Sequence, residues 1–384
     1  MTSRPPLLVV AGEPSGDRSA ASVARAARGH GVATLGMGGA ASAAEGMELV
    51  ADLRRSAAMG ISEVSRRFPA VLRAYRTLRH SAKSLRPSAA VLIDYVEFNL
   101  RLGRFLRALG VRVLWCVAPQ VWAWRPGRRA TFGRALDRMA TILPFEPPLW
   151  REKGIEARYV GHPALDAPQV ERAAARRSLQ LADDVSAVAI LPGSRPHEVR
   201  RHLPIMLAAL RELSRHGHGA TARVLAAPWL DAETRRWLER ESRGVPVVDV
   251  SPVMGAAAHL PAFDAALVAS GTASLECALV GALPVVVYRV SRLTAAIARP
   301  LLRTPHIALP NVLLGDRVFP ELLQQRAEPV AMARAVHQML ERRGESRALG
   351  ERLRALLHCA DDPSARTGER IFAMLHDWLP GSGS

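Results

Sequence analysis

Short apolar runs alternating with helical spans, twice over along one chain, constrain this sequence more than any other feature. The first is Leu7–Ala11, followed by the small-residue stretch Gly12-Glu13-Pro14-Ser15-Gly16-Asp17 and an Ala-rich helical span over about residues 19–28. Apolar runs of four to eight residues without polar alternation fit strands covered on both faces, as in a parallel sheet. Further runs recur at 32–35, 89–93, 111–117 and 139–143, with helical patterns between them. A polar, Ala/Arg-rich stretch at 166–184 follows, and then a second series at 187–191, 222–226, 245–248, 265–268 and 284–287. Helical spans at 199–215 and 272–280 belong to that series, and residues 329–379 read as helical almost throughout. The pattern predicts an α/β chain of two doubly wound, Rossmann-like domains, 1–165 and 166–345, with C-terminal helices over 346–384 expected to pack back toward an N-terminal domain.

Length and composition agree: 384 residues with 49% hydrophobic and 23% charged residues suit about two domains and exclude a disordered or collagenous chain. Three separated cysteines, Cys116, Cys277 and Cys359, make neither a disulfide framework nor a CxxC metal site, which points to a reducing, cytoplasmic setting. The apolar run at 7–11 is too short for a signal-peptide core, and none approaches the ~20 residues of a bilayer span, so any membrane contact is expected to be peripheral. The formal charge is +17, unevenly placed: residues 1–160 hold 25 basic and 12 acidic side chains, residues 161–384 hold 27 and 23. Arg supplies all but two of the basic residues, a skew that genome composition explains as readily as chemistry. The basic first half points to a polyanionic partner, whether nucleic acid, anionic lipid or a phosphorylated substrate; a solvated Arg-rich surface is the other reading.

Ligands of open α/β sheets bind beyond the carboxyl ends of the strands, so those loops hold the candidate chemistry. Gly193, Ser194 and Arg195 follow one run; Gly lets an amide approach phosphate, and the Arg fork matches phosphate geometry, although an ordinary turn would look the same. Ser270, Gly271, Thr272 and Ala273 follow another and open a helix carrying Glu276 one turn in. Helix-start amides suit a diphosphate, and Glu276 either holds ribose hydroxyls or complements the helix dipole. Neither loop is a Walker A sequence, and Gly36-Met37-Gly38-Gly39 is only a weak dinucleotide lookalike. In the first half, the carboxylates Asp94 and Glu97 follow the run 89–93 and are candidate general bases, with Asn99 just after; a helix cap, which Asp and Asn both favour, is the other reading, and Glu13 and Asp17 offer the same choice.

Taken together these segments resemble bacterial lipid-A-disaccharide synthase, a GT-B glycosyltransferase. The matching stretches are AGEPSGD from Ala11, MGISEV from Met59, IDYVEFN from Ile93, APQVWAWR from Ala118, LPFE from Leu143, VGHP from Val160, LPGSR from Leu191, ASGTASLE from Ala269 and LPN from Leu309. Three positions depart from the family pattern: Val96 and Glu97, where Pro and Asp are usual, and Gln120, where Ser is common. The resemblance implies two Rossmann-like domains facing a central cleft, with the acceptor on the first and the UDP-sugar on the second. It implies an inverting transfer from UDP-2,3-diacylglucosamine to 2,3-diacylglucosamine 1-phosphate, giving the lipid A disaccharide 1-phosphate and UDP, at the inner face of the cytoplasmic membrane of a Gram-negative cell. Asp94 would then be the base, with Glu97 and Glu13 as second choices. Arg195 and the amides of 271–273 would meet the diphosphate, and Glu276 and Asn311 the nucleotide. No cofactor or metal is expected, the chain having no D-x-D motif. Another GT-B protein, such as a UDP-N-acetylglucosamine 2-epimerase or a different lipid-linked sugar transferase, is the alternative.

Residues 54–86 hold nine basic side chains and one acid, with apolar residues at helical spacing. Met59, Phe68, Arg66, Arg67 and Arg73 form the predicted membrane-facing set, with a break expected at Pro69; core packing with a solvated basic face is the other reading. Trp122, Trp124, Arg125 and Asn99 complete the acceptor candidates, the two Trp residues fitting buried core aromatics equally well. No RNP, KH or helix-turn-helix signature accompanies the charge, so nucleic acid is not an expected partner. A homodimer is left open.

Overall fold

The computed structural model describes residues 5–52, 61–124, 126–290 and 304–379, with the backbone alone at a few of them, including 61–68 and Trp124. The chain divides into two compact units, Met1–Asp166 with Leu357–Ser384, and Ala167–Leu356.

Among its described residues the first unit is built on seven parallel strands: β1 (Leu7–Ala11), β2 (Thr34–Gly38), β3 (Glu48–Asp52), β4 (Ala89–Ile93), β5 (Arg112–Cys116), β6 (Arg138–Thr141) and β7 (Glu156–Tyr159). Their order across the sheet is β3-β2-β1-β4-β5-β6-β7. Strand periodicity sorts the side chains cleanly. Leu8, Val10, Ala90 and Leu92 enter one core with Ala74, Leu78, Leu102, Leu106, Trp115 and Phe132. Leu7, Val9, Ala11, Ala89, Val91 and Ile93 enter the other, with Val23, Ala24 and Ala27 and with Ile371, Phe372 and Leu375 from the end of the chain. Both faces of β1 and β4 are covered, which is why these strands carry no polar residue.

Four expectations change. The first helix spans Pro14–Gly29, so most of the predicted turn is helical. Pro14 sits at its first position, where a missing N–H costs nothing and the fixed φ is already helical. The second strand begins at Thr34, because the amides of His30, Gly31 and Val32 still bond back to Ala27 and Arg28. The helix Ile61–Leu85 runs unbroken through Pro69, since Ala74, Leu78 and Ala82, four apart, anchor it on the sheet. The segment 329–379 breaks after Leu356 and resumes as the helix Thr367–Ala373.

Among the described residues the second unit has six parallel strands, β8 (Ala187–Leu191), β9 (Thr221–Ala226), β10 (Val247–Asp249), β11 (Ala265–Ala269), β12 (Leu283–Tyr288) and β13 (Glu321–Leu323). Their order is β10-β9-β8-β11-β12-β13. The helix Ser346–Leu356 belongs here rather than to a separate C-terminal piece: Gly350 passes close to Leu279, and Arg354 Nη2 donates to the Leu279 carbonyl at 3.0 Å. Beyond Leu356 the chain packs on the first unit, where a Cβ on Gly368 would fall 2.3 Å from the Ser22 carbonyl. His30 stacks on Phe372 at 4.7 Å, and Arg138 donates to the Met374 carbonyl and to Asp377.

Candidate active site

In the first sheet the chain runs outward from β1 through β2 to β3, then returns and runs the other way from β4. The loops leaving the carboxyl ends of β1 and β4 therefore diverge, and the crevice at such a switch point is where open sheets bind ligands. Glu13 and Asp94 stand on these two loops, whose strands pair Ala11 with Ile93.

The turn holding Asp94 is strained. Asp94 (φ 48°) and Tyr95 (φ 47°) are both left-handed, an arrangement that costs on the order of 1 kcal/mol for each non-glycine residue. Several contacts hold it. The Asp94 amide donates to the Cys116 carbonyl at 3.0 Å. Asn99 Nδ2 donates to the carbonyls of Ile93 (3.2 Å) and Asp94 (2.8 Å). The Tyr95 ring stacks on Phe98 at 5.0 Å and lies directly over Gly12, where a Cβ would come within 2.1 Å of it. Burial, then the charge of Glu13, pushes the Tyr95 hydroxyl above its ordinary pKa. Asp94 and Glu13 are half-buried, whereas Glu97 is exposed on the helix Val96–Ala108.

Two polar residues predicted from sequence as site candidates are instead structural. Asn99 is fully buried and its Nδ2 braces the Asp94 turn. Asp17 is fully buried and receives the amides of Gly39 (2.7 Å), Ala41 (3.0 Å) and Ser42 (3.2 Å), which fixes the loop beyond β2.

Beyond β5 and β6 lies a network that sequence reasoning did not assign. Trp122 Nε1 donates to Glu146 Oε1 at 3.0 Å, the Leu143 amide donates to Oε2 at 3.3 Å, and Phe145 meets Trp122 edge to face at 5.0 Å. Glu146 is 1% exposed, and burial pushes its carboxyl up to about 8 against those two hydrogen bonds. Its only sequence signal was membership of the LPFE stretch.

The second sheet reverses between β8 and β11, and the two predicted phosphate loops leave those two strands. Gly193 has φ +128°, and a Cβ there would lie 2.6 Å from Glu198. The Glu198 carboxylate accepts from the Ser194 amide (3.1 Å) and the Arg195 amide (3.3 Å), with Arg195 Nη1 at 3.4 Å. An anion thus already sits on the amides expected to receive phosphate. At the other loop Gly271 is exposed with φ +152°, and Ser274 Oγ donates to its carbonyl at 2.8 Å. Ser270, Thr272, Ala273 and Glu276 are half-buried, with Thr272 and Glu276 one turn apart on the same helical face.

Asn311 differs from expectation. It is fully buried; Nδ2 donates to the Phe319 carbonyl (2.8 Å) and Glu321 Oε1 (2.9 Å), while Oδ1 accepts from the Phe319 amide (2.9 Å). With its amide saturated internally, it shapes the loop before β13 rather than presenting a donor to a nucleotide.

Of the membrane-facing candidates, Met59 and Arg125 lie outside the described residues, as do the side chains of Phe68, Arg66, Arg67 and Trp124. Arg73 is exposed, and among the described residues no helix is long and apolar enough to cross a membrane.

The family model for Lipid-A-disaccharide synthetase matches residues 7–360. A lipid-A-disaccharide synthase of Myxococcus xanthus is 44% identical over 349 residues, 88% of this chain and 89% of its own length. One from Syntrophus aciditrophicus is 39% identical over 373 residues, 96% and 97% of the two chains. Among solved structures, Arabidopsis thaliana UGT89C1 complexed with UDP matches at a TM-score of 0.63 and 12% identity, over 98% of this chain and 100% of that one. A putative UDP-N-acetylglucosamine 2-epimerase from Listeria monocytogenes matches at 0.60 and 10% identity, over 97% and 95%. At such identities the likeness concerns the fold, which is GT-B with two Rossmann-like domains. The whole-length sequence match carries the assignment further: the chain belongs to the lipid-A-disaccharide synthetase family.

Proposed function

We propose that Asp94 is the general base of an inverting hexosyl transfer from UDP-2,3-diacylglucosamine to 2,3-diacylglucosamine 1-phosphate. Family membership makes the chain a hexosyltransferase of lipid A synthesis. The observation that carries the residue assignment is the strained turn of Asp94 and Tyr95 at the β1/β4 switch point. In the step proposed, the acceptor 6-hydroxyl oxygen attacks C1 of the donor sugar while its proton passes to Asp94. The bond from C1 to the β-phosphate oxygen breaks, and its electron pair leaves on UDP. Glu13, across the crevice, orients the acceptor, and exposed Glu97 is less suited to either task.

On the second unit, the amides of 271–273 and Arg195 take the diphosphate, with Glu276 on the ribose. Charge grows on the leaving phosphate in the transition state, so donors fixed there lower the barrier more than they tighten substrate binding. Glu198 must release the Ser194 and Arg195 amides if phosphate is to use them. Trp122, held by Glu146, lines the acceptor side.

The acyl chains of both substrates come from a bilayer, and we assign the basic first unit to the inner face of the cytoplasmic membrane. Exposed Arg73, Arg76, Lys83, Arg101 and Arg104 on the adjacent helices Ile61–Leu85 and Val96–Ala108 support this, with Arg79 capping Phe105 at 4.3 Å. Incubating the protein with both diacylglucosamine substrates tests the reaction. UDP and a disaccharide 1-phosphate are expected; UDP release without a disaccharide, or epimerisation of UDP-N-acetylglucosamine, would replace this reading with the epimerase-like one.

A further inference from the structure

His202 lies two turns into the helix Pro196–Arg215 and is 1% exposed. Its ring makes two hydrogen bonds whose partners leave no freedom of role. The Pro192 carbonyl, 3.0 Å from Nδ1, can only accept, so Nδ1 carries the proton. The Arg289 amide, 3.1 Å from Nε2, can only donate, so Nε2 is bare. A single neutral tautomer satisfies both. Burial, the largest influence, holds its pKa below the ordinary value, in the direction that favours the neutral ring.

The two partners belong to different strand ends. Pro192 directly follows β8 and precedes Gly193, while Arg289 directly follows β12. Between these strands runs β11, so the ring links loops whose strands are roughly 10 Å apart, with the Ser270-Gly271 loop leaving the strand between. Catalytic precision demands that donors on a loop be held by a second layer of contacts, because a loop alone does not fix them.

We propose that His202 is a positioning residue for the nucleotide: it ties the loop carrying Gly193, Ser194 and Arg195 to the end of β12 and so sets where that loop meets the diphosphate. This rests on the reading of the second unit as the UDP-sugar site. His202 itself touches no substrate, and its effect passes through Pro192.

The test uses UDP alone as the probe, titrated calorimetrically into the full chain, with KM measured separately for donor and acceptor. His202→Leu keeps apolar bulk and removes both hydrogen bonds; His202→Asn can still donate to Pro192; His202→Gln can still accept from Arg289. The Leu variant is expected to weaken UDP at least about tenfold and raise the donor KM in step, with the acceptor KM changing less than about threefold. The Asn variant should regain most of the affinity. A purely structural role would lower the melting temperature and the active fraction but leave the UDP affinity of the folded molecules alone, and that result overturns the proposal. If the Leu variant does not fold, the comparison is Asn against Gln, with Asn expected to bind at least about threefold tighter; equal, wild-type-like affinities overturn it. Failure of the wild-type chain to bind UDP would instead remove the nucleotide-site reading and the positioning role with it.

Discussion

Gly12→Ala probes the strained turn without touching a reacting group. The added Cβ would lie 2.1 to 2.4 Å from three atoms of Tyr95, where about 3.4 Å is the least an ordinary contact allows, so ring and loop must separate by more than 1 Å. Tyr95 cannot move alone, because it shares the left-handed turn with Asp94 and stacks on Phe98. Overpacking of this kind costs about 1–3 kcal/mol of stability. The catalytic cost is larger, since a displacement of about 1 Å at a reacting group lowers turnover on the order of a hundredfold. The assay is kcat with both acylated substrates, beside calorimetric UDP affinity, which should stay within about twofold because the second unit is untouched. Tyr95→Gly on the same background removes the ring and supplies a residue at ease with positive φ, so the pair should be non-additive, the second change relieving part of the first. Wild-type kcat in Gly12→Ala, or simple additivity in the double variant, would refute the argument that Gly12 and Tyr95 hold Asp94 in place.

Glu146→Gln should alter how stability depends on pH. The folded carboxyl titrates near 8, well above its unfolded value, so between about pH 4.5 and 8 the folded chain keeps a proton that the unfolded chain has released. Stability therefore falls as pH rises through that window, by up to about 1.4 kcal/mol per pH unit, and Gln removes this component. Urea midpoints at pH 5 and pH 8 check it; identical pH dependence in both proteins contradicts it. Replacing Arg73, Arg76, Arg101 and Arg104 together by Gln should weaken binding to anionic vesicles by up to about 1 kcal/mol per residue at low salt, with little effect on neutral vesicles. Cosedimentation measures this, and unchanged binding would detach these helices from the membrane reading.

The core of the fold was legible because physics makes it repetitive. Strands β1, β4 and β8 are covered on both faces, so their apolar runs are continuous and their limits fall where the runs end. The edge strands β3, β7 and β13 were missed because they carry Glu48, Glu156, Arg158 and Glu321 among few apolar residues. Pro14, Ser15 and Gly16 have turn composition, yet Pro at the first helical position starts the helix early. Asp94 could be singled out from its place after an apolar run. The work of Asn99 and Asn311 could not: whether a buried amide faces a ligand or the backbone depends on groups that only folding brings near. For the same reason His202 carried no sequence signal and Glu146 only its place in the LPFE stretch, as their partners Arg289 and Trp122 lie 87 and 24 residues away.

In the proposed transfer Asp94 takes the acceptor proton. Asp94→Asn preserves size and polarity but cannot accept that proton, so kcat should fall by a factor of about 10² to 10⁴ while UDP affinity stays within about threefold. Turnover within a few-fold of wild type in a folded, UDP-binding Asp94→Asn protein would contradict the account and move the base elsewhere.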